Sequence, residues 1–144
     1  MFAGSIAAAA TTGALIGLGR RDATAARVFN VIGAHVLGSA GVSSFHFGPG
    51  TVAGILFHLV FTTTLGVLIL YLTTQRRLPL WPTAFGLAVL SALVSIGLAR
   101  RSLPSLGLIL PIGDLVAYYV VLAVSLGVGI RFAFPRQRIL EKKM

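Results

Sequence analysis

The sequence predicts an all-α integral membrane protein in which five helices cross the bilayer as one membrane domain, residues 1–144. Of the 144 residues, 56% are hydrophobic and only 10% are charged, whereas soluble domains carry about 25% charged residues. The mean hydropathy is +0.94. A soluble domain of this size remains mostly surface and could not bury so many apolar side chains, so we infer that lipid solvates them.

Five apolar segments, each of a length that suits one helix, follow one another along the chain. They cover residues 2–19, 24–40, 51–74, 83–99 and 111–134, and a basic tail follows at 135–144. A helix rises 1.5 Å per residue, so about 20 residues cross the hydrocarbon core. The segments therefore predict five transmembrane helices.

Segment 24–40 is the least hydrophobic of the five and has two different sides. A helical projection places Arg27 and Asn30 on one side, with Val28 and Ile32 largely opposite. Such a helix can also lie in the membrane surface with its apolar side in lipid. Four spans plus one interfacial amphipathic helix are therefore the alternative to five spans.

Three arginine pairs mark the ends of apolar segments: Arg20 and Arg21, Arg76 and Arg77, Arg100 and Arg101. Because cytoplasmic loops are enriched in basic residues, we place the C-terminal tail in the cytoplasm. Five spans then put the N-terminus outside and the first two pairs inside, while the third pair lies outside, against the rule. We interpret the pairs as contacts for lipid headgroups or an acidic partner.

The composition excludes several classes of function. The net charge is +9, but the basic residues lie at segment ends rather than on one face, which argues against nucleic-acid binding. The absence of cysteine excludes thiolate metal sites and cysteine nucleophiles. With only three acidic residues and no hydrolase or nucleotide-binding motif, we do not expect an enzyme.

All three histidines, His35, His46 and His58, fall within 24 residues of sequence. In the five-span arrangement, His35 and His58 lie at similar depth on neighbouring antiparallel helices. Two neutral imidazoles placed in this way could ligate a haem iron or hold chlorophyll-type pigments. Alternatively, they only hydrogen-bond neighbouring helices and help packing.

Two further polar residues, Asn30 and Asp114, interrupt apolar segments. Ionisable groups inside a membrane are costly, so Asp114 together with the histidines predicts a site that binds a metal or relays protons. Asp114 also follows Pro111 closely and could instead stabilise the positive end of a helix. Asn30 is of the type that holds neighbouring helices together.

Small residues recur at spacings that favour close helix crossings. Gly13 and Gly17 are four residues apart, as are Gly50 and Gly54. Segment 83–99 has small residues on one face: Ala84, Ala88, Ser91, Ala92, Ser95 and Ala99.

The order of these motifs resembles small multi-spanning bacterial inner-membrane proteins. A glycine-rich first helix ends at Arg20-Arg21, Phe29-Asn30 leads to His35, and a helix with Gly54 and His58 follows. The resemblance implies a location in the bacterial inner membrane and brings no known activity.

From the small-residue faces and the few catalytic groups, we expect an accessory or scaffold subunit of a larger membrane assembly, such as a respiratory or photosynthetic complex. Its partners would be membrane lipids and other membrane subunits or copies of itself. The alternatives are a haem- or chlorophyll-type pigment-binding protein that uses His35 and His58, and a small proton- or metal-coupled transporter.

Overall fold

The computed structural model of the protein describes residues 2–22, 24–38 and 45–134, with side chains left undescribed at 2–4, 21 and 22. The described residues form helices and their connections, with no strand among them. The predicted basic tail 135–144, residues 39–44 and the side chain of Arg21 lie outside the described part of the chain.

Five α-helices follow one another, and a short 3₁₀ helix precedes the last. They are α1 (Phe2–Asp22), α2 (Ala25–Leu37), α3 (Pro49–Gln75), α4 (Leu80–Arg100), the 3₁₀ helix Leu106–Leu108 and α5 (Ile112–Ala133). Each of the five predicted segments overlaps one of these α-helices, and the described residues form no strand, so the all-helical class is confirmed.

Within the described residues, three helices are long and apolar enough to cross a membrane, namely α3, α4 and α5. α3 has 27 residues and therefore extends about 40 Å. Pro49 and Pro82 lie in the first turns of α3 and α4, where a missing N–H breaks no helical hydrogen bond. The structure supports the membrane class, but it does not confirm five spans.

The helix α2 departs most from the predicted spanning segment. Its 13 residues extend only about 20 Å, less than the ~30 Å hydrocarbon core. Thr24 Oγ1 donates to the Phe45 carbonyl at 2.9 Å, which brings the start of α2 beside the start of α3. Further along both helices, the rings of His35 and Phe57 stack with centroids 5.5 Å apart. The two helices therefore run in the same direction, which corrects the antiparallel pairing expected of segments 24–40 and 51–74.

Glycines explain why α2 is packed inside the protein. A Cβ atom at Gly33 would overlap the Gly50 carbonyl oxygen, and one at Gly54 would overlap the Phe29 carbonyl oxygen. The two backbones thus touch, as the spacing of Gly50 and Gly54 predicts. Residues 28–34 are all buried, so both sides of the predicted amphipathic helix face protein.

The long helices pack around a core where α1, α3 and α5 meet. Its most buried members include Leu15, Ile69, Leu115, Leu122 and Leu126. α4 packs on α5 through the predicted small-residue face, of which Ala84, Ala88 and Ser95 are buried. At the opposite end of this contact from Ser95, Trp81 lies directly against Gly127 of α5.

We predict that Gly54→Ala destabilises the protein by about 1–3 kcal/mol, because the new methyl group overlaps backbone that cannot move independently. Thermal unfolding in detergent, followed by circular dichroism, measures the effect. Gly97→Ala is the control, since a Cβ at this position of α4 meets no atom within 4 Å. Equal unfolding temperatures for the two variants would contradict the close crossing.

Candidate functional site

His58 lies at the contact of three helices. Its side chain is only 2% exposed. Its Nε2 atom lies 2.8 Å from Thr11 Oγ1 on α1, and its Nδ1 atom lies 3.4 Å from Tyr118 Oη on α5. One imidazole on α3 therefore connects α1 to α5 through polar contacts in the interior.

The donors around His58 indicate which ring nitrogen carries the proton. Thr11 Oγ1 donates its single proton to the Ala7 carbonyl at 2.6 Å. The hydroxyl oxygen can then accept from Nε2–H, and the neutral ring keeps a lone pair on Nδ1 that accepts from the Tyr118 hydroxyl. Both nitrogens of His58 are thus occupied by neighbours in the protein.

His35 and His58 line one cavity. They lie on two helices that run in the same direction, whereas the sequence predicted an antiparallel pair. His35 is exposed, stacks on Phe57 and lines the same cavity as the buried His58. His46 is exposed and lies in the connection before α3, and Asp114 lies half-buried in the first turn of α5. Neither lines this cavity. Among the described residues, no group of three metal-ligating side chains converges.

Asn30 holds α2 against the start of α3. Its Nδ2 donates to the His46 carbonyl at 3.0 Å, and its Oδ1 accepts from Thr51 Oγ1 at 2.7 Å. The side chain is 2% exposed. This is the contact expected of a polar residue between membrane helices.

The arginine pairs lie at helix ends, and none of the arginine side chains that the structure describes lines the cavity. Those whose side chains the structure describes are all exposed: Arg20, Arg76, Arg77, Arg100 and Arg101. The contacts of these arginines with lipid headgroups or an acidic partner stay a prediction.

The cavity has a volume of about 340 Å³ and lies between α3 and α4. α2, α5 and the connection that carries the 3₁₀ helix close its inner side. The apolar lining consists of Ile32, Phe57, Phe61, Leu90, Val94, Leu98 and Leu106, and the polar lining of His35, His58, Ser91, Ser95, Ser105, Tyr118 and Tyr119. Among the residues that the structure describes, no Lys, Arg, Asp or Glu lines it.

The serines of the lining differ in their hydrogen bonding. Ser91 donates to the Leu87 carbonyl at 2.9 Å, as serines in helices commonly do. Ser95 accepts from the Gly107 N–H at 3.1 Å and so fixes the α4–α5 connection to α4. The Ser105 hydroxyl is buried and has no hydrogen-bond partner within the described part of the chain.

Sequence reasoning missed three of these residues. Thr11 lies in the middle of an apolar segment, where a hydroxyl group is a usable signal of a polar contact. Tyr118 lies one turn after Asp114, in a segment in which only Asp114 was singled out as a candidate site residue. Ser105 belongs to a connection with no periodic pattern, so nothing in the sequence marks it.

Comparisons with protein-family models, with curated proteins and with solved structures find no match to this chain.

We predict that Thr11→Val destabilises the protein by about 1 kcal/mol and Tyr118→Phe by less, because the 2.8 Å contact to His58 is the closer one. Chemical denaturation in detergent measures both. Thr74→Val is the control, since the exposed hydroxyl of Thr74 donates to the Leu70 and Tyr71 carbonyls of its own helix. A larger effect from Tyr118→Phe than from Thr11→Val would contradict the assigned contacts.

Proposed function

We propose that this is a membrane protein that binds a membrane-soluble small molecule in the cavity between α3 and α4. The cavity is the observation that carries the proposal. Ligand pockets typically measure about 300–1,000 Å³ and combine mostly apolar walls with a few polar groups. The 340 Å³ cavity has this size and this mixture of side chains.

The outer rim of the cavity supports entry from the surrounding lipid. Phe57, Leu90 and Val94 line the cavity and are also exposed on the outside of the helices. A ligand dissolved in the hydrocarbon could therefore pass between α3 and α4 without crossing water. This route suits an apolar or amphiphilic molecule.

We propose four crossings rather than five. The 21 residues of α1 extend about 31 Å, which matches the hydrocarbon core. The short α2 then enters the membrane from the side on which α1 ends. The chain is on that same side again at Phe45, since Phe45 lies beside the start of α2. With an even number of crossings and the basic tail in the cytoplasm of a bacterial cell, the N-terminus also lies in the cytoplasm, in place of the external N-terminus expected with five spans. Arg76 and Arg77 then stay inside, whereas Arg20 and Arg100 both lie outside, against the positive-inside rule.

Pigment binding and transport remain alternatives with less support. To ligate the metal ion of a haem or chlorophyll-type pigment, His58 would need a free lone pair on a ring nitrogen. Both of its ring nitrogens instead contact hydroxyl groups of the protein. His35 lines the rim and could take that role alone. Asp114 lies outside the cavity lining, so a proton or metal path would have to connect two separate places.

We predict that the protein purified in mild detergent retains a small lipid-soluble molecule, and that Val94→Trp reduces its occupancy about tenfold by filling the cavity. Native mass spectrometry detects the molecule, and an absorption spectrum of the same sample reports any pigment. Leu93→Trp is the matched control, since Leu93 is exposed on α4 but does not line the cavity. Equal occupancy in both variants would refute this site.

The accessory-subunit function stays a second proposal, and one observation favours it. Gly13 and Gly17 have the spacing of a close crossing, yet both are exposed and a Cβ at either position meets no atom within 4 Å. Within the described residues this pair serves no contact of the chain itself. In membranes such pairs let a second helix approach closely.

We predict that Gly17→Leu weakens association with a second copy or another subunit, because the added side chain separates the helices. Gly86→Leu, at an equally open position on α4, should leave association unchanged. Chemical cross-linking in native membranes measures both variants. Association that survives Gly17→Leu would remove this surface from consideration.

A further inference from the structure

The hydroxyl group of Ser105 is the one buried side-chain group of the cavity that lacks a hydrogen-bond partner in the described structure. Ser105 is 4% exposed and lies in the α4–α5 connection, directly before the 3₁₀ helix. A buried polar group without a hydrogen-bond partner destabilises the folded protein, because it has lost its contacts with water. Such a group therefore needs an explanation, and a bound ligand that supplies the missing hydrogen bond is one.

The surroundings of Ser105 are held in place by other contacts. Gly107 donates to Ser95, and a Cβ at Gly107 would lie 3.1 Å from the Ser95 carbonyl oxygen, so the connection lies tightly on α4. Leu106 is buried beside Ser105. The backbone of Ser105 is therefore held in place beside the cavity, and rotation about its Cα–Cβ bond is the movement that turns the buried hydroxyl toward a ligand there.

The charge of the lining limits the ligand. A carboxylate or phosphate would need a cation or several donors, and an ammonium would need an acid, but the described part of the lining has no charged side chain. His58 already contacts both Thr11 and Tyr118. A neutral head group that accepts one hydrogen bond from Ser105 matches this arrangement, with its apolar body against Phe61, Leu90 and Val94.

We propose that the cavity binds a neutral amphiphile whose head carries a carbonyl group, and that Ser105 donates a hydrogen bond to this carbonyl. The inference rests on the proposed ligand-binding function and names the class of ligand. A quinone ring and a glycerol ester are two sources of such a carbonyl in membranes.

Calorimetric titration of the intact protein in detergent tests the inference. The probes are decylubiquinone, dioctanoylglycerol, decylbenzene, which has a tail but no carbonyl, and decanoate, which is anionic. We expect the two carbonyl probes to bind more tightly than decylbenzene and decanoate. The tighter of the two identifies the source of the carbonyl.

Ser105→Ala should weaken binding of the carbonyl probes about tenfold, equivalent to about 1.4 kcal/mol, and leave decylbenzene unaffected. It should also raise the unfolding temperature of the ligand-free protein, because it removes a buried hydroxyl that has no partner. Ser125→Ala is the matched control, since Ser125 is buried in α5, bonds to the Val121 carbonyl and lies outside the cavity lining.

Two results would overturn the inference in distinguishable ways. If the carbonyl probes bind and lose affinity with Val94→Trp but not with Ser105→Ala, the cavity binds ligands and the role of Ser105 is wrong. If none of the probes binds the wild-type protein, both the ligand-binding function and the inference fail. Tighter binding of decanoate than of decylubiquinone would also overturn the neutral head group.

Discussion

The close approach of α2 and α3 at Gly33 and Gly54 is the constraint on which the rest of the structure depends. Since the backbones touch there, α2 lies against α3 with residues 28–34 buried inside the protein. A side chain at either glycine would separate the helices. The position of α2 in turn provides one wall of the cavity through Ile32 and His35.

A membrane adds a second constraint, because polar groups in hydrocarbon must find partners inside the protein. The structure satisfies this for Asn30 between α2 and α3, and for His58 between α1 and α5. These contacts join helices that are distant in sequence and so determine which helices are neighbours. We propose that a ligand supplies the hydrogen-bond partner that the buried Ser105 hydroxyl lacks among the described residues.

The sequence predicted part of the candidate site. It singled out His35 and His58 together, and both line the cavity. It assumed that they face each other across antiparallel spans, whereas α2 and α3 run in the same direction and His58 is occupied by Thr11 and Tyr118. The spacing of apolar residues does not reveal the direction of α2 relative to α3 or the partners of His58, because both depend on contacts between residues far apart in sequence.

Composition and spacing determined the helical membrane class, the order of the five helices and the use of the small-residue face of α4, since these follow from local hydrophobicity and residue size. The close crossing at Gly50 and Gly54 was also readable from their spacing. Only the tertiary structure decided that α2 and α3 run in the same direction, that Gly13 and Gly17 stay uncovered by the described residues, and that Ser105 lines a cavity. These depend on contacts between residues far apart in sequence, which local patterns do not encode.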